Sequence, residues 1–180
     1  MRLYLVRHAA VTVRADRPSA HWRLSPEGRA AIELLAEEPY WQSLAIVYTS
    51  PEPKAVATAQ RIAAPHGLAI RIERDLREVE RPWAGEGYAE LAQRYLAGEA
   101  LDGWEPRAEA LARVRACVDG IVARGEDAAA VSHGLALTLY LGDLLDLDAD
   151  GSHTLWRSMS FPDVAIVDPQ ARRVEKAFGA

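Results

Sequence analysis

RLYLVRHAA, residues 2–10, opens the chain with an apolar run that suits a β-strand and ends in an adjacent Arg7 and His8. Strands ordinarily stop at turn residues, so two basic side chains at this end point to chemistry. Two further runs repeat the arrangement. LAIVYTS ends at Thr49-Ser50 with Lys54 close behind, and DAAAVSHG ends at Ser132-His133-Gly134. In open parallel sheets, ligands bind outside the carboxyl ends of the strands, where helix N-termini present backbone N–H groups. If these three strands are parallel, their unusual ends face one crevice.

Working outward, short apolar or β-branched runs alternate with longer helical patterns, which predicts an α/β fold. The expectation is a three-layer sandwich: a mostly parallel sheet with helices on both faces. Helices are expected over LSPEGRAAIELLAEE with Ser25 as N-cap, over SPEPKAVATAQRIAAPHG with Ser50 as N-cap, and over YAELAQRYLAG. From Arg107 to Arg124, Leu111, Val114, Val118 and Ile121 recur at helical spacing, and LALTLYLGDLLDL reads as a mostly apolar helix. LAIRIE is a further strand, and DLREVERPWAGEG has the turn residues of a loop. DVAIVDPQARRVEKAF reads as a strand pair turning at Asp168–Ala171, the pair running antiparallel to the rest.

A length of 180 residues suits a single domain over 1–180, and 49% hydrophobic with 26% charged residues suits one folded core. The formal charge of −5 argues against nucleic acid or an anionic membrane as partner, so any bound anion needs a local cationic pocket. Residues 1–6 are too short for a signal-peptide core before Arg7, and Asp143 interrupts the longest apolar stretch, so a cytoplasmic location is expected. The one cysteine, Cys117, falls in the apolar stripe of a helix and reads as a structural thiol. Histidines 8, 21, 66, 133 and 153 show no metal-ligand spacing, and there is no GxSxG, P-loop or GxGxxG.

Taken singly, each signal is weak. An Arg-His pair arises by chance, Lys54 suits a solvated helix side chain, and Glu78 within LREVE suits a surface carboxylate. Their order is more specific. LVRHA resembles the Arg-His-Gly opening of the histidine phosphatase superfamily, the phosphoglycerate-mutase-like group. SPEPKAVATA resembles its Ser-Pro-x-x-Arg-Ala-x-x-Thr-Ala segment, LRE its acid-bearing loop, and VSHG its second histidine.

The resemblance implies a metal-independent phosphatase with no cofactor, acting on a small phosphorylated metabolite through a phosphohistidine. By the same resemblance His8 is the nucleophile, His133 a cationic donor to phosphoryl oxygens, and Glu78 the proton donor to the leaving oxygen, with Glu80 as fallback. Arg7, Lys54 and Gly134 are then the substrate-binding residues. Arg7 matches two phosphate oxygens at once because its guanidinium is a planar fork.

Two positions depart from the family pattern. Ala9 replaces the usual Gly, which matters if that position needs positive φ. Lys54 replaces the second phosphate-binding Arg, keeping the charge and losing the fork. Lys54 and Lys176 are the chain's only lysines beside nineteen arginines, which hints at a local reason for Lys54. The competing expectation is a phospho-ligand or phosphoprotein binding module with weak turnover. Around the pocket, Arg14, Arg17, His21, Trp22 and Arg23 could meet a leaving group or form a solvated loop with one anchoring Trp. Trp83, Tyr88 and Trp104 could belong to a lid or simply pack it down. Monomer and homodimer both remain open from the sequence.

Overall fold

The computed structural model describes residues 1–180 and shows the opening run as β1 (Leu3–Arg7), buried along its whole length. Burial on both faces marks a central strand. β1 is parallel to β4 (Ala128–Ser132) on one side and antiparallel to β5 (Asp163–Asp168) on the other. β2 (Ile46–Thr49) pairs in parallel with β4 and with β3 (Ala69–Ile72), and β6 (Arg173–Lys176) closes the far edge, giving the order β3-β2-β4-β1-β5-β6. The mostly parallel sheet is as expected, with one refinement. Only β5 runs against the parallel strands, because the turn after Asp168 returns β6 to the direction of β1.

Both faces are covered. α1 (Pro26–Ala36) and α2 (Pro53–Ala63) lie on one, where Ile32, Ala59, Ile62 and Trp41 meet Tyr4, Val6, Val47 and Val131. Trp41 is wholly buried, and its indole N–H donates to Leu35 O at 2.6 Å, so its polar edge is satisfied. α4 (Arg107–Val122) and α5 (Gly134–Leu144) lie on the other, where Val114, Val118, Leu137 and Leu141 meet Leu3, Leu5 and Val167. Burying each such aliphatic side chain stabilises by about 1.5–3 kcal/mol. β4 contributes Ala128, Ala129 and Ala130, which lets helices approach the middle of the sheet closely from both sides. α3 (Tyr88–Leu96) adds an outer cluster in which Tyr95 and Leu96 meet Leu135 and Leu139 of α5.

Two local expectations change. Ser50 does not cap α2: the helix starts at Pro53 with Glu52 as N-cap, because two prolines delay entry, and the Ser50 hydroxyl is engaged by His133 instead. A helix not foreseen, α6 (Ala149–Ser158), follows α5. Asp148 caps it, accepting from the Gly151 N–H at 2.8 Å, and its mixed polar face gave no clear period. Ser25 caps α1 as expected, accepting from the Gly28 N–H at 3.0 Å. Cys117 packs on the core of α4, where burial pushes its thiol up to about 12, in keeping with a structural role. No helix is long and apolar enough to cross a membrane.

Candidate active site

Strand register brings the chemistry together. Arg7 stands opposite Ser132 and Asp163, and Thr49 opposite Val131, so His8, Ser50 and His133 emerge at one sheet edge. The ladder runs one step further, with the N–H groups of His8 and Ser50 donating to Ser132 O at 3.1 Å and Val131 O at 3.0 Å. The His8 and His133 rings meet edge to face, their centroids 5.1 Å apart. Above them opens a cleft of about 100 Å³ lined by Arg7, His8, Lys54, Glu78, Arg81 and Gly134, with Trp22, Tyr88 and Phe161 as aromatic walls. That volume accepts a phosphoryl group and is well below the ~300–1,000 Å³ of sites that engulf a drug-sized ligand.

Each side chain is held by identifiable partners. His8 Nδ1–H donates to Ala9 O at 2.8 Å, which leaves the lone pair on Nε2. Arg7 donates through Nη1 to Met159 O at 2.7 Å, and its guanidinium lies 3.4 Å from the Phe161 ring centroid. A Cβ at position 134 would sit 3.2 Å from Arg7 Nη2 and 3.1 Å from the Trp156 indole nitrogen, so glycine there makes room for the Arg7 guanidinium. Glu78 lies at the N-terminus of α5, its carboxylate accepting from the Ala136 N–H at 3.1 Å and more loosely from that of Leu135. Arg113 of α4 holds the Glu78 loop from below, donating to the carbonyls of Asp75, Arg77 and Glu78 while paired with Glu105.

Glu80 is exposed and does not line the cleft, so geometry favours Glu78 of the two. Ala9 carries no strain: the non-glycine residues at positive φ are Asp146 and Arg172, and the Ala9 N–H donates to Thr58 Oγ1 at 3.1 Å. Trp22 walls the cleft and is anchored by its indole N–H to Arg14 O, whereas Arg14, Arg17, His21 and Arg23 are solvated. Trp83 meets Trp22 edge to face at 5.0 Å, Tyr88 faces the cleft, and Trp104 packs in the outer cluster.

Burial, then the neighbouring His133 ring and the Lys54 cation, holds His8 well below 6.5, so its ring is neutral at physiological pH. Burial and the cations Lys54, Arg113, Arg7 and Arg81 do the same to His133. This differs from the cationic His133 that the resemblance implied, since burial outweighs what would favour the imidazolium. Burial also brings Arg7 down to about 10, which leaves it protonated at neutral pH.

Residues 3–168 match the family model of the histidine phosphatase superfamily (branch 1). The chain belongs to this superfamily. By class it is therefore a phosphatase. Among solved structures, mycobacterial hydrolase 1 superposes with a TM-score of 0.80 at 23% identity, over 99% of this chain and 98% of that one. Mycobacterial glucosyl-3-phosphoglycerate phosphatase gives 0.76 at 23%, over 99% and 98%. A phosphoserine phosphatase from Entamoeba histolytica, solved with 3-phosphoglyceric acid, gives 0.77 at 18%, over 99% and 97%. At these identities the likeness shows the fold. No curated protein sequence matches this chain significantly.

Sequence reasoning missed two residues of this histidine phosphatase. Arg81 lines the cleft with its guanidinium 3.9 Å from the Tyr88 ring centroid. Glu52, 7% exposed, sits 2.5 Å from Lys54 Nζ, and Lys54 also donates to Ser19 O at 2.8 Å. The signal available was an acid two residues before the unexpected lysine.

The depressed histidines carry a consequence for stability. Above pH 6.5 both are neutral folded and unfolded, and their contribution is fully present. Below it the unfolded chain takes up protons that the folded chain refuses. Stability is expected to fall by up to about 1.4 kcal/mol per pH unit for each histidine until its folded pKa is reached. Urea midpoints from pH 7.5 to 5 check this, and His8→Asn is expected to remove about half of the slope. A flat profile contradicts it.

Proposed function

We propose that this phosphatase hydrolyses small phosphorylated metabolites in two displacements through a phosphohistidine on His8. The observation that carries the reading is the fixed tautomer of His8, with Nδ1–H on Ala9 O at 2.8 Å and a neutral Nε2 beside the Arg7 guanidinium. In the first displacement the Nε2 lone pair attacks phosphorus and the bond to the leaving oxygen breaks. That oxygen takes a proton from the Glu78 carboxyl, which lines the same cleft. In the second, water attacks phosphorus, Glu78 takes back a proton, and the P–N bond breaks to release phosphate. Arg7 spans two oxygens of the transferring group, Lys54 meets a third, and charge is stabilised where it develops.

A phosphoryl dianion in the cleft above the rings would draw a proton to His133, so the two histidines would acquire their different protonation states only with substrate bound. The small cleft suits a phosphoryl group with the rest of the substrate at the mouth, against Trp22, Tyr88 and Arg81. The glucosyl-3-phosphoglycerate and phosphoserine phosphatases among the structural neighbours have names that fit small phosphomonoesters.

The test is hydrolysis of p-nitrophenyl phosphate and a panel of small phosphomonoesters with EDTA present, with phosphoenzyme trapped by rapid quench. EDTA-resistant turnover with a phosphoenzyme that is labile to acid and stable to base is expected. Ligand binding without turnover across the panel favours the binding-module reading instead.

A further inference from the structure

Glu52 stands between two prolines at the N-cap of α2, yet its side chain does not cap that helix. Its carboxylate is turned into the site. Oε2 lies 2.5 Å from Lys54 Nζ, and Oε1 accepts the Glu78 backbone N–H at 2.8 Å and lies 3.3 Å from His133 Nε2. Ser50 Oγ is 2.8 Å from the same Nε2 and accepts the Glu52 N–H at 3.2 Å. A carboxylate buried this deeply is costly unless paired, and this one is held by the Lys54 ammonium and by the Glu78 backbone N–H.

The arrangement has a direction. Nε2 meets the Ser50 hydroxyl at 2.8 Å, which serves either tautomer, and the negative charge of Glu52 at 3.3 Å favours the one with the proton on Nε2. His133 Nδ1 is then the ring position that can gain a proton, and it is buried without a hydrogen-bond partner. The charged and titratable groups around this ring are Arg7 and His8 from the end of β1, Lys54 from α2, Arg81 and Glu78 from the loop after β3, and Arg113 from α4. Five of these six are basic, and the Glu78 carboxylate is occupied by the first turn of α5. Glu52 is the carboxylate placed against the ring itself.

We propose that Glu52 is a positioning residue acting through His133 and Lys54: its carboxylate, 3.3 Å from Nε2, keeps the ring proton on that nitrogen, so that Nδ1 takes up a proton when a phosphoryl dianion arrives. The proton then sits on the ring nitrogen that no protein group engages, on a ring that meets His8 beneath the cleft, and the imidazolium is paired with Glu52 behind it. The same carboxylate anchors Lys54, whose three donors go to Glu52, to Ser19 O and to the phosphoryl group. This gives the lysine at that position its local reason, and it rests on the cleft being a phosphoryl site.

Two measurements test it. In wild-type protein with 15N-labelled histidine, adding inorganic phosphate is expected to turn His133 from singly protonated on Nε2 to protonated on both nitrogens; an imidazole spectrum unchanged by phosphate overturns the proposal. In the pH profile of kcat for p-nitrophenyl phosphate, Glu52→Gln is expected to move the alkaline limb down by about one unit, a tenfold loss of proton affinity at His133. Glu52→Asp is expected to restore part of that shift. A lower rate with the limb in place overturns it, because a mere brace would slow every pH alike. If Glu52→Gln fails to fold, the phosphate titration decides. If the wild type hydrolyses nothing, the phosphatase reading fails, and the titration still reports on Glu52 and His133.

Discussion

Replacing His8 with Ala is expected to lower kcat/KM for p-nitrophenyl phosphate by at least about 1,000-fold while leaving the protein folded. The proposed covalent route depends on one lone pair. His8 Nε2 is held by the Nδ1–H bond to Ala9 O, kept neutral by burial, and set 5.1 Å, centroid to centroid, from the His133 ring. Nothing else in the cleft can replace it: Lys54 is paired with Glu52, and Glu78 is bound to the first turn of α5. The fold survives because the sheet register that sets position 8 is carried by the backbone N–H to Ser132 O, which Ala retains. Steady-state rates and trapped phosphoenzyme check this, with added imidazole as a rescue of the vacated ring position. A residual rate within tenfold of wild type would remove His8 from the reaction.

Arg7→Ala is expected to cost about 100- to 1,000-fold, mostly in kcat, because the guanidinium meets charge that grows in the transition state. Its setting suits the proposed anion. One nitrogen donates to Met159 O at 2.7 Å, Phe161 covers its face, and Nε is buried without a partner. Arg7→Lys is expected to recover part of the rate, since charge returns without the planar fork. Both variants also leave Met159 O without its present donor, a stability cost of about 1–3 kcal/mol if water does not reach it. The split between kcat and KM separates the two effects. A change confined to KM would make Arg7 a uniform binding group rather than one aimed at the transition state.

The order of the motifs was legible because chemistry at strand ends is local in sequence. Arg7-His8, Ser132-His133-Gly134 and the loop with Glu78 each lie within a few residues of a strand whose apolar run is plain. The layers were legible for the same reason, since β1, β4 and α5 are apolar nearly throughout and must be buried on both sides. α6 was not, because only its N-cap at Asp148 stands out and its packing on α5 is a property of the assembled fold.

What the sequence by itself determined is therefore the fold class, the family and which side chains gather at the carboxyl edge of the sheet. Only the tertiary structure decided their states. That His8 presents Nε2, that His133 is neutral as it stands, and that Ala9 is unstrained follow from burial, a carbonyl 2.8 Å away and local dihedral angles. The pairing of Glu52 with Lys54 and His133 belongs here too. Residues 52 and 133 are joined only where β2 and β4 run parallel and in register, and the energy of a buried charge depends on the neighbours that such pairing supplies.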